Sequence, residues 1–174
     1  METATAKSFN IATGLIAELT HEAATTRKIL ERIPPEKFDY KPHEKSMTMI
    51  RLAWHVADMV DWVNETCTKD ELNFEGMDFT PVEPKTTAEL VEFHDKKVAA
   101  ALEALKNTSD EDMHKDWTLR NGEQVYFTMT KIATLRTMCF NHIWHHRGQL
   151  SVYLRLNDIP VPEIYGPSAD EGTM

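Results

Sequence analysis

Helical periodicity is the feature that most constrains how this chain can fold. Apolar residues recur at steps of three and four in four long segments, which is the spacing of helices that bury one face. These segments are residues 9–33, 46–66, 86–105 and 128–157. The first segment begins with Phe9 and ends before Pro34-Pro35, because the residue before a proline disfavours the α conformation. Four such helices around one core favour a four-helix bundle.

The stretches between these helices carry the residues of turns and extended chain. A long connection is predicted over residues 67–84, where Pro81 and further glycine and proline residues interrupt any regular pattern. The sequence "DWTLRNGEQVYF" predicts a small hairpin before the last helix, since Asn121-Gly122 suits a type I′ turn. The proline-rich tail over residues 158–174 predicts extended chain that lies against the body. The prediction is an all-α fold with this hairpin and this C-terminal tail.

Length and composition narrow the classes of function. A chain of 174 residues can bury a sizeable core, so we expect a single domain over residues 1–174. The net charge of −9 is spread along the chain, which argues against nucleic acid as a partner, since that requires a basic face. No apolar run reaches the roughly 18–20 residues of a membrane span, and no secretory signal is visible. Because Cys67 and Cys139 form no CxxC motif, the expected location is the reducing cytoplasm.

Three histidines fall within five positions of the last predicted helix, in the sequence "NHIWHHRGQL" at residues 141–150. On a helical wheel, His146 lies inside the apolar arc, and His142 lies at its margin, roughly 40° away and one turn earlier. His145 is rotated further out, toward solvent or a neighbouring helix. Gln149 and Tyr153 follow His146 at one-turn steps on the same side. His142 and His146 are therefore predicted to form an inward-facing pair.

The second predicted helix offers a counterpart in His55, which shares the buried stripe of Leu52 and Met59. Two inward histidines from one helix and one from another can converge inside a bundle. Three imidazoles suit a borderline divalent ion such as zinc or nickel, and they leave positions open for water or substrate. The alternative is that each ring is an ordinary core histidine with a hydrogen-bond partner and no ion.

Three stretches of the sequence resemble the DinB-like, or YfiT-like, four-helix-bundle proteins. They are "RLAWHVADM" in the second helix, "NHIWHHRGQL" in the fourth and "LRLNDIPVPEIYGPSADE" at the end, and the resemblance covers nearly the whole chain. It implies an up-down-down-up bundle that is usually dimeric. It also implies a metal held by one histidine of the second helix and an i,i+4 pair of the fourth.

Carried onto this sequence by motif, the implied ligands are His55, His142 and His146, while His145 is not an expected ligand. A homodimer is also expected from Trp144 and Phe140, which the wheel places on the outer side of the last helix. Known activities among relatives depend on thiols, and include bacillithiol and mycothiol S-transferases and maleylpyruvate isomerase.

Two functions remain open at this point. The first is a metal-dependent thiol S-transferase or isomerase, in which Gln149, Tyr153 or His145 orients a low-molecular-weight thiol or moves a proton. The alternative is a non-catalytic, stress-related metal-binding bundle, whose site would be closed by a protein ligand such as Asp58. The favoured interpretation of Asp58 is a surface charge, and the alternative is a hydrogen-bond acceptor beside the site or a fourth ligand. An open site beside a polar cavity would favour the enzyme.

Other titratable residues give weaker signals. Glu18-x-x-His21 has the spacing used in di-iron bundles, but such centres need a second step of this kind, so we interpret it as a solvated pair. Arg51 and Arg147 are candidates for recognising an acidic thiol, although the wheel points both away from the apolar arc. Three histidines in polar settings are interpreted as surface residues: His43, His94 and His114.

Overall fold

The computed structural model of the chain describes residues 10–78, 80 and 84–173. Phe9 and Pro81, which enter the predictions for the first helix and the long connection, lie outside these residues. The first helix otherwise follows the prediction closely. Its N-cap is Asn10, whose side chain accepts a hydrogen bond from the backbone N–H of Thr13 at 2.8 Å.

Helices take up more than half of the described residues. The α-helices are α1 (Ile11–Glu31), α2 (Met49–Asp58), α3 (Asp61–Thr68), α4 (Thr87–Lys106), α5 (Asp110–Met113), α6 (Lys131–Thr134) and α7 (Asn141–Arg155). A 3₁₀ turn covers Pro35–Lys37, and a π-helical segment covers Leu135–Phe140. The strands are β1 (Glu71–Asn73), β2 (Asp116–Asn121) and β3 (Gln124–Thr130). The fold is thus mostly helical with a small sheet, which corrects the expected all-α class.

The second predicted helix, over residues 46–66, is two helices in the structure. It begins at Met49, where the hydroxyl of Thr48 caps the first turn, and α2 ends at Asp58. The backbone N–H groups of Trp62 and Val63 donate to carbonyls only three residues back, at 3.2 and 3.1 Å. These tighter bonds separate α3 from α2 although no glycine or proline stands between them.

The fourth predicted helix starts three residues later than expected. Strand β3 continues through Thr130, whose hydroxyl accepts from the N–H of Ala133 at 3.4 Å and caps α6. The π-helical segment Leu135–Phe140 then runs directly into α7. Such wide turns are rare and often border functional sites. Here the wide turn immediately precedes the helix that carries His142 and His146.

The sheet is larger than the predicted hairpin. Strands β2 and β3 pair antiparallel as predicted, and β1 adds a parallel third strand in which Leu72 lies opposite Leu119. The hairpin turn is Gly122-Glu123, since Asn121 pairs with Gln124. Gly122 has a φ of 57° and no other residue of this turn has a positive φ. The predicted type I′ turn at Asn121-Gly122 is therefore wrong, because it needs positive φ at both central residues.

Two apolar clusters make up the core of the helical part. Along α2, Leu52 belongs to one cluster and Val56 to the other. Along α7, Leu150 belongs to the cluster of Leu52, and Ile143 belongs to the cluster of Val56. His55 lies next to Val56 in sequence, at the level where α2 passes from one cluster to the other.

Two aromatic residues that were expected on the outside of the last helix are not on the surface. Phe140 is fully buried and Trp144 is partly buried against the same cluster. His94, expected on the surface, is 1% exposed, because it lies one turn after Leu90 on the buried face of α4. Glu18 is not paired with His21 but accepts from Arg136 at 2.5 Å.

Arg147 was expected to point away from the apolar arc and is instead 1% exposed. It lies between Ile143 and Leu150 on the buried face of α7, and its charge is met by Glu22 of α1 at 2.7 Å. Its second Nη atom donates to the hydroxyl of Tyr165 in the tail at 2.5 Å. The tail therefore lies against the body, as predicted.

No helix in the described ranges has the length and apolarity needed to cross a membrane.

The buried pair between Arg147 and Glu22 yields a stability prediction. Glu22→Ala leaves a buried guanidinium without its carboxylate, so the free energy of unfolding should fall by about 3–5 kcal/mol. Glu92→Ala breaks the exposed pair with Lys96 and should cost less than about 1 kcal/mol. Urea denaturation of both variants measures the difference. Similar losses in the two would show that the buried pair contributes nothing special.

Candidate metal centre

His55 of α2 and His142 and His146 of α7 come together in the structure. One nitrogen of each ring lies within 4.8 Å of the corresponding nitrogen of the other two. The pair on α7 shares a face because residues four apart in a helix lie one above the other. The three rings predicted to converge therefore do so, and each is only partly buried.

The closest approach in the cluster is between Nε2 of His55 and Nε2 of His142, at 3.2 Å. Two neutral imidazoles meet at this distance only when one donates a proton or when both lone pairs face a common cation. Two nitrogens on one tetrahedral zinc, with bonds of about 2.0–2.1 Å, are about 3.3 Å apart. The spacing therefore fits two ligands of one ion without rearrangement.

Gln149 fixes the orientation of His146. Its Oε1 accepts from Nδ1 of His146 at 2.7 Å, which leaves Nε2 of that ring with a free lone pair. Its Nε2 lies 3.1 Å from Nε2 of His145 and donates to it. Outer hydrogen bonds of this kind set the tautomer of metal-binding histidines. His145 is exposed and does not join the cluster of nitrogens.

The protonation state of the cluster suits metal binding. Burial, with smaller contributions from the neighbouring His146, His142 and Arg51, lowers the pKa of His55 to about 4. Burial also lowers the pKa of His142, with His146 and His145 adding to the effect. Both rings are neutral near pH 7, which is the form that binds a metal ion.

The remaining predicted neighbours have separate roles. Asp58 is half-buried, and burial raises its pKa, but its carboxylate is not in the ligand cluster. Tyr153 is buried and its hydroxyl donates to the carbonyl of Met47 at 3.2 Å, which ties α7 to the loop before α2. Cys139 is fully buried, and burial raises its pKa to about 12, so it is an unreactive thiol.

Two cavities border the histidine cluster from different sides. The one that we call the His55 cavity has a volume of about 690 Å³ and is lined by residues that include Arg51, Trp54, His55, Asp58, Trp62 and Phe74. The other, the His146 cavity, has a volume of about 430 Å³ and is lined by residues that include Lys45, Met47, His146, Gln149 and Tyr153. The cluster is therefore open to small molecules from both sides.

The His55 cavity contains functional candidates that the sequence did not reveal. Trp54 and Trp62 belong to no motif that marks them as functional, yet both line the cavity. Phe74 follows β1, in a segment predicted to be a loop. A local signal did exist on α2, since Arg51, His55 and Asp58 are spaced four and three residues apart and share one face.

Acid should destabilise the metal-free protein in a defined window. Unfolded His55 takes up a proton at its ordinary pKa of 6.5, whereas the folded ring does so only near a pKa of 4. The unfolded state therefore binds more protons between these values, so stability is retained above pH 6.5 and is lost as the pH falls toward 4. Urea denaturation in the presence of a chelator should show a shallower pH dependence for His55→Gln. Identical slopes for this variant and the wild type would contradict the assignment.

Comparison with known proteins relates the chain to bacterial proteins of similar length. YrdA, an uncharacterized protein of Bacillus subtilis strain 168, is 26% identical over 150 residues, which are 86% of this chain and 85% of YrdA. A DinB-like protein from Bacillus cereus ATCC 10987 has a crystal structure that matches with a TM-score of 0.70 and 26% identity. That match covers 90% of this chain and 98% of the other.

Two further crystal structures share the fold at lower identity. The DinB-like protein YjoA of Bacillus subtilis matches with a TM-score of 0.66 and 19% identity, over 84% of this chain and 95% of YjoA. A protein described as a member of the DinB family, from Exiguobacterium sibiricum 255-15, matches with a TM-score of 0.62 and 21% identity, over 87% and 95% of the two chains. The sequence model of the DinB family itself matches residues 4–173. With this match over nearly its whole length, the chain belongs to the DinB family.

Proposed function

We propose that this protein binds one divalent metal ion, zinc or nickel, through His55, His142 and His146, and is a metal-dependent thiol S-transferase. The observation that carries the proposal is that three imidazoles converge between two cavities. When bound, the ion would act as a Lewis acid that lowers the pKa of a thiol and so maintains a reactive thiolate at neutral pH.

The protein side chains prepare this site in three ways. Gln149 holds His146 with Nε2 free and connects it to the exposed His145. Tyr153 fixes the loop at Met47, which forms one side of the His146 cavity. The aromatic residues of the His55 cavity exclude water from part of the approach to His55. Gln149 and Tyr153 therefore position groups, and His145 is the candidate for proton exchange with solvent.

The presence of two cavities suits a reaction with two substrates. In S-transfer the sulfur of a low-molecular-weight thiol forms a bond to an electrophilic carbon. The bond from that carbon to its leaving group breaks, and the leaving group departs with the electron pair. The proton of the thiol passes to His145 or to water. The non-catalytic alternative, with Asp58 closing the site, has less support because Asp58 is outside the ligand cluster.

The same proposal includes the organisation expected for the family. It comprises one domain over residues 1–174, with the helices in an up-down-down-up bundle. It also includes a homodimer, supported by three exposed apolar side chains, Met47, Val152 and Leu156. A cytoplasmic location is consistent with Cys67 and Cys139, which are both free thiols.

Metal content tests the ligand assignment directly. After incubation with zinc or nickel and removal of excess ion, the wild-type protein should contain one ion per chain by mass spectrometry. His146→Ala should lose stoichiometric metal, whereas His145→Ala should retain it, because His145 does not belong to the ligand cluster. Equal loss in both variants would overturn the assignment, and no metal in the wild type would overturn the site.

Thiol transfer tests the catalytic part of the proposal. The zinc- or nickel-loaded protein, given cysteine and monochlorobimane, should form the fluorescent thioether with release of chloride faster than the reagents alone. Gln149→Leu should weaken metal affinity by about 10–100-fold, because the orientation of His146 is lost. Ser151→Ala is the matched control on α7 and should behave like the wild type. Wild-type metal content without any acceleration, across a panel of small thiols, would favour the non-catalytic alternative.

A further inference from the structure

The carboxylates of the His55 cavity are mostly neutralised by partners. Ion pairs meet three of the five lining carboxylates: Asp61 with Lys97 at 2.7 Å, Glu65 with Lys69 at 2.6 Å, and Glu71 with Arg120 at 2.5 Å. The negative potential inside the cavity is therefore weaker than the number of lining carboxylates indicates.

Arg51 is the cation of this cavity that lacks such a partner. Its Nη1 is buried without a hydrogen bond, and no ion pair to it is formed within the described residues. The guanidinium lies over the ring of Trp54, 4.9 Å from the centroid, which positions it without satisfying its N–H groups. A buried donor left unpaired is costly, so a group entering the cavity that accepts from Arg51 would gain binding free energy.

The aromatic lining and the size of the cavity indicate what kind of molecule can accompany a group bound to Arg51. Trp54 stacks with Phe93 at a centroid distance of 6.1 Å and 17° between planes. Trp62 and Phe74 form a second aromatic pair, also at 6.1 Å. A cavity of about 690 Å³ between such side chains is of the size that holds a small organic molecule.

We propose that the His55 cavity binds a small organic carboxylate with an aromatic or apolar body. The carboxylate pairs with Arg51 and the body packs on Trp54 and Trp62. Guanidinium and carboxylate match in geometry, since two parallel N–H groups can meet two oxygens. Arg51 precedes His55 by one helical turn, so such a ligand lies beside the metal centre. Calling this ligand a substrate rests on the proposed function, whereas its binding to Arg51 does not.

Asp78 lines the cavity without an ion pair among the described residues and keeps its charge, because hydrogen bonds from Thr80 lower its pKa. Asp58 is the second charge that opposes this assignment. It lines the same cavity and has no cationic partner within 4 Å among the described residues. Burial raises its pKa, which weakens its preference for the charged form. If its charge dominated, the cavity would select an amine, and the test includes that outcome.

The test compares three probes of nearly equal size: phenylacetate, phenylacetamide and phenethylamine. Binding to the metal-free wild-type protein is followed by calorimetry and by the fluorescence of Trp54 and Trp62. Phenylacetate should bind roughly tenfold to a hundredfold more tightly than phenylacetamide, as expected for a hydrogen-bonded charge pair. Arg51→Met should abolish this preference while retaining weak binding of all three probes.

Controls separate the proposal from misfolding and from the metal site. Lys28→Met removes the same charge from an exposed position on α1 and should keep the wild-type preference. Arg51→Met should show wild-type zinc content and cooperative thermal unfolding; if it does not fold, Arg51→Lys, which keeps the charge but not the fork of donors, should show a reduced preference. Equal binding of acid and amide, tightest binding of the amine, or no binding of phenylacetate at millimolar concentration would each overturn the proposal. Because these titrations use metal-free protein, their failure is distinct from the absence of zinc or of thiol transfer.

Discussion

The buried ion pair between Arg147 and Glu22 is the interaction on which the geometry of the site depends most directly. Arg147 follows His146 in sequence, so the pair fixes the rotation of α7 against α1. With α7 in that rotation, His142 and His146 face His55 of α2. The pair is retained in an apolar environment because Thr26 and Tyr165 also meet the guanidinium, so that both of its Nη atoms have acceptors.

Local periodicity was sufficient to predict the histidine cluster, because the i,i+4 pair and the buried stripe of α2 are properties of single helices. It was not sufficient for Arg147, whose burial depends on Glu22, 125 residues away in the chain. The same limit explains β1, a three-residue strand whose pairing with β2 is not encoded locally. The helix predicted from residue 128 overlapped strand β3, and there the pairing of β3 with β2 decided the boundary.

The departures from regular structure cluster around the site. The π-helical segment Leu135–Phe140 directly precedes the helix with His142, and the break after Asp58 follows the helix with His55. The break redirects the chain so that Trp62 of α3 and Trp54 of α2 line one cavity. A continuous second helix and a regular fourth helix would have matched the sequence pattern better. Such departures from the regular helical pattern are typical of functional regions, because the backbone there must position functional side chains as well as stabilise the fold.

The separation of the histidines along the chain has a consequence for biosynthesis. His55 and His142 are 87 residues apart, and the tail residue Tyr165 completes the environment of Arg147. Domains emerge from the ribosome beginning at the N-terminus. A growing chain therefore presents His55 without its two partners while the 87 residues up to His142 are added, and a single imidazole holds zinc or nickel only weakly. At the proposed metal site, all three histidines can therefore meet only late in synthesis, when α7 packs against α2.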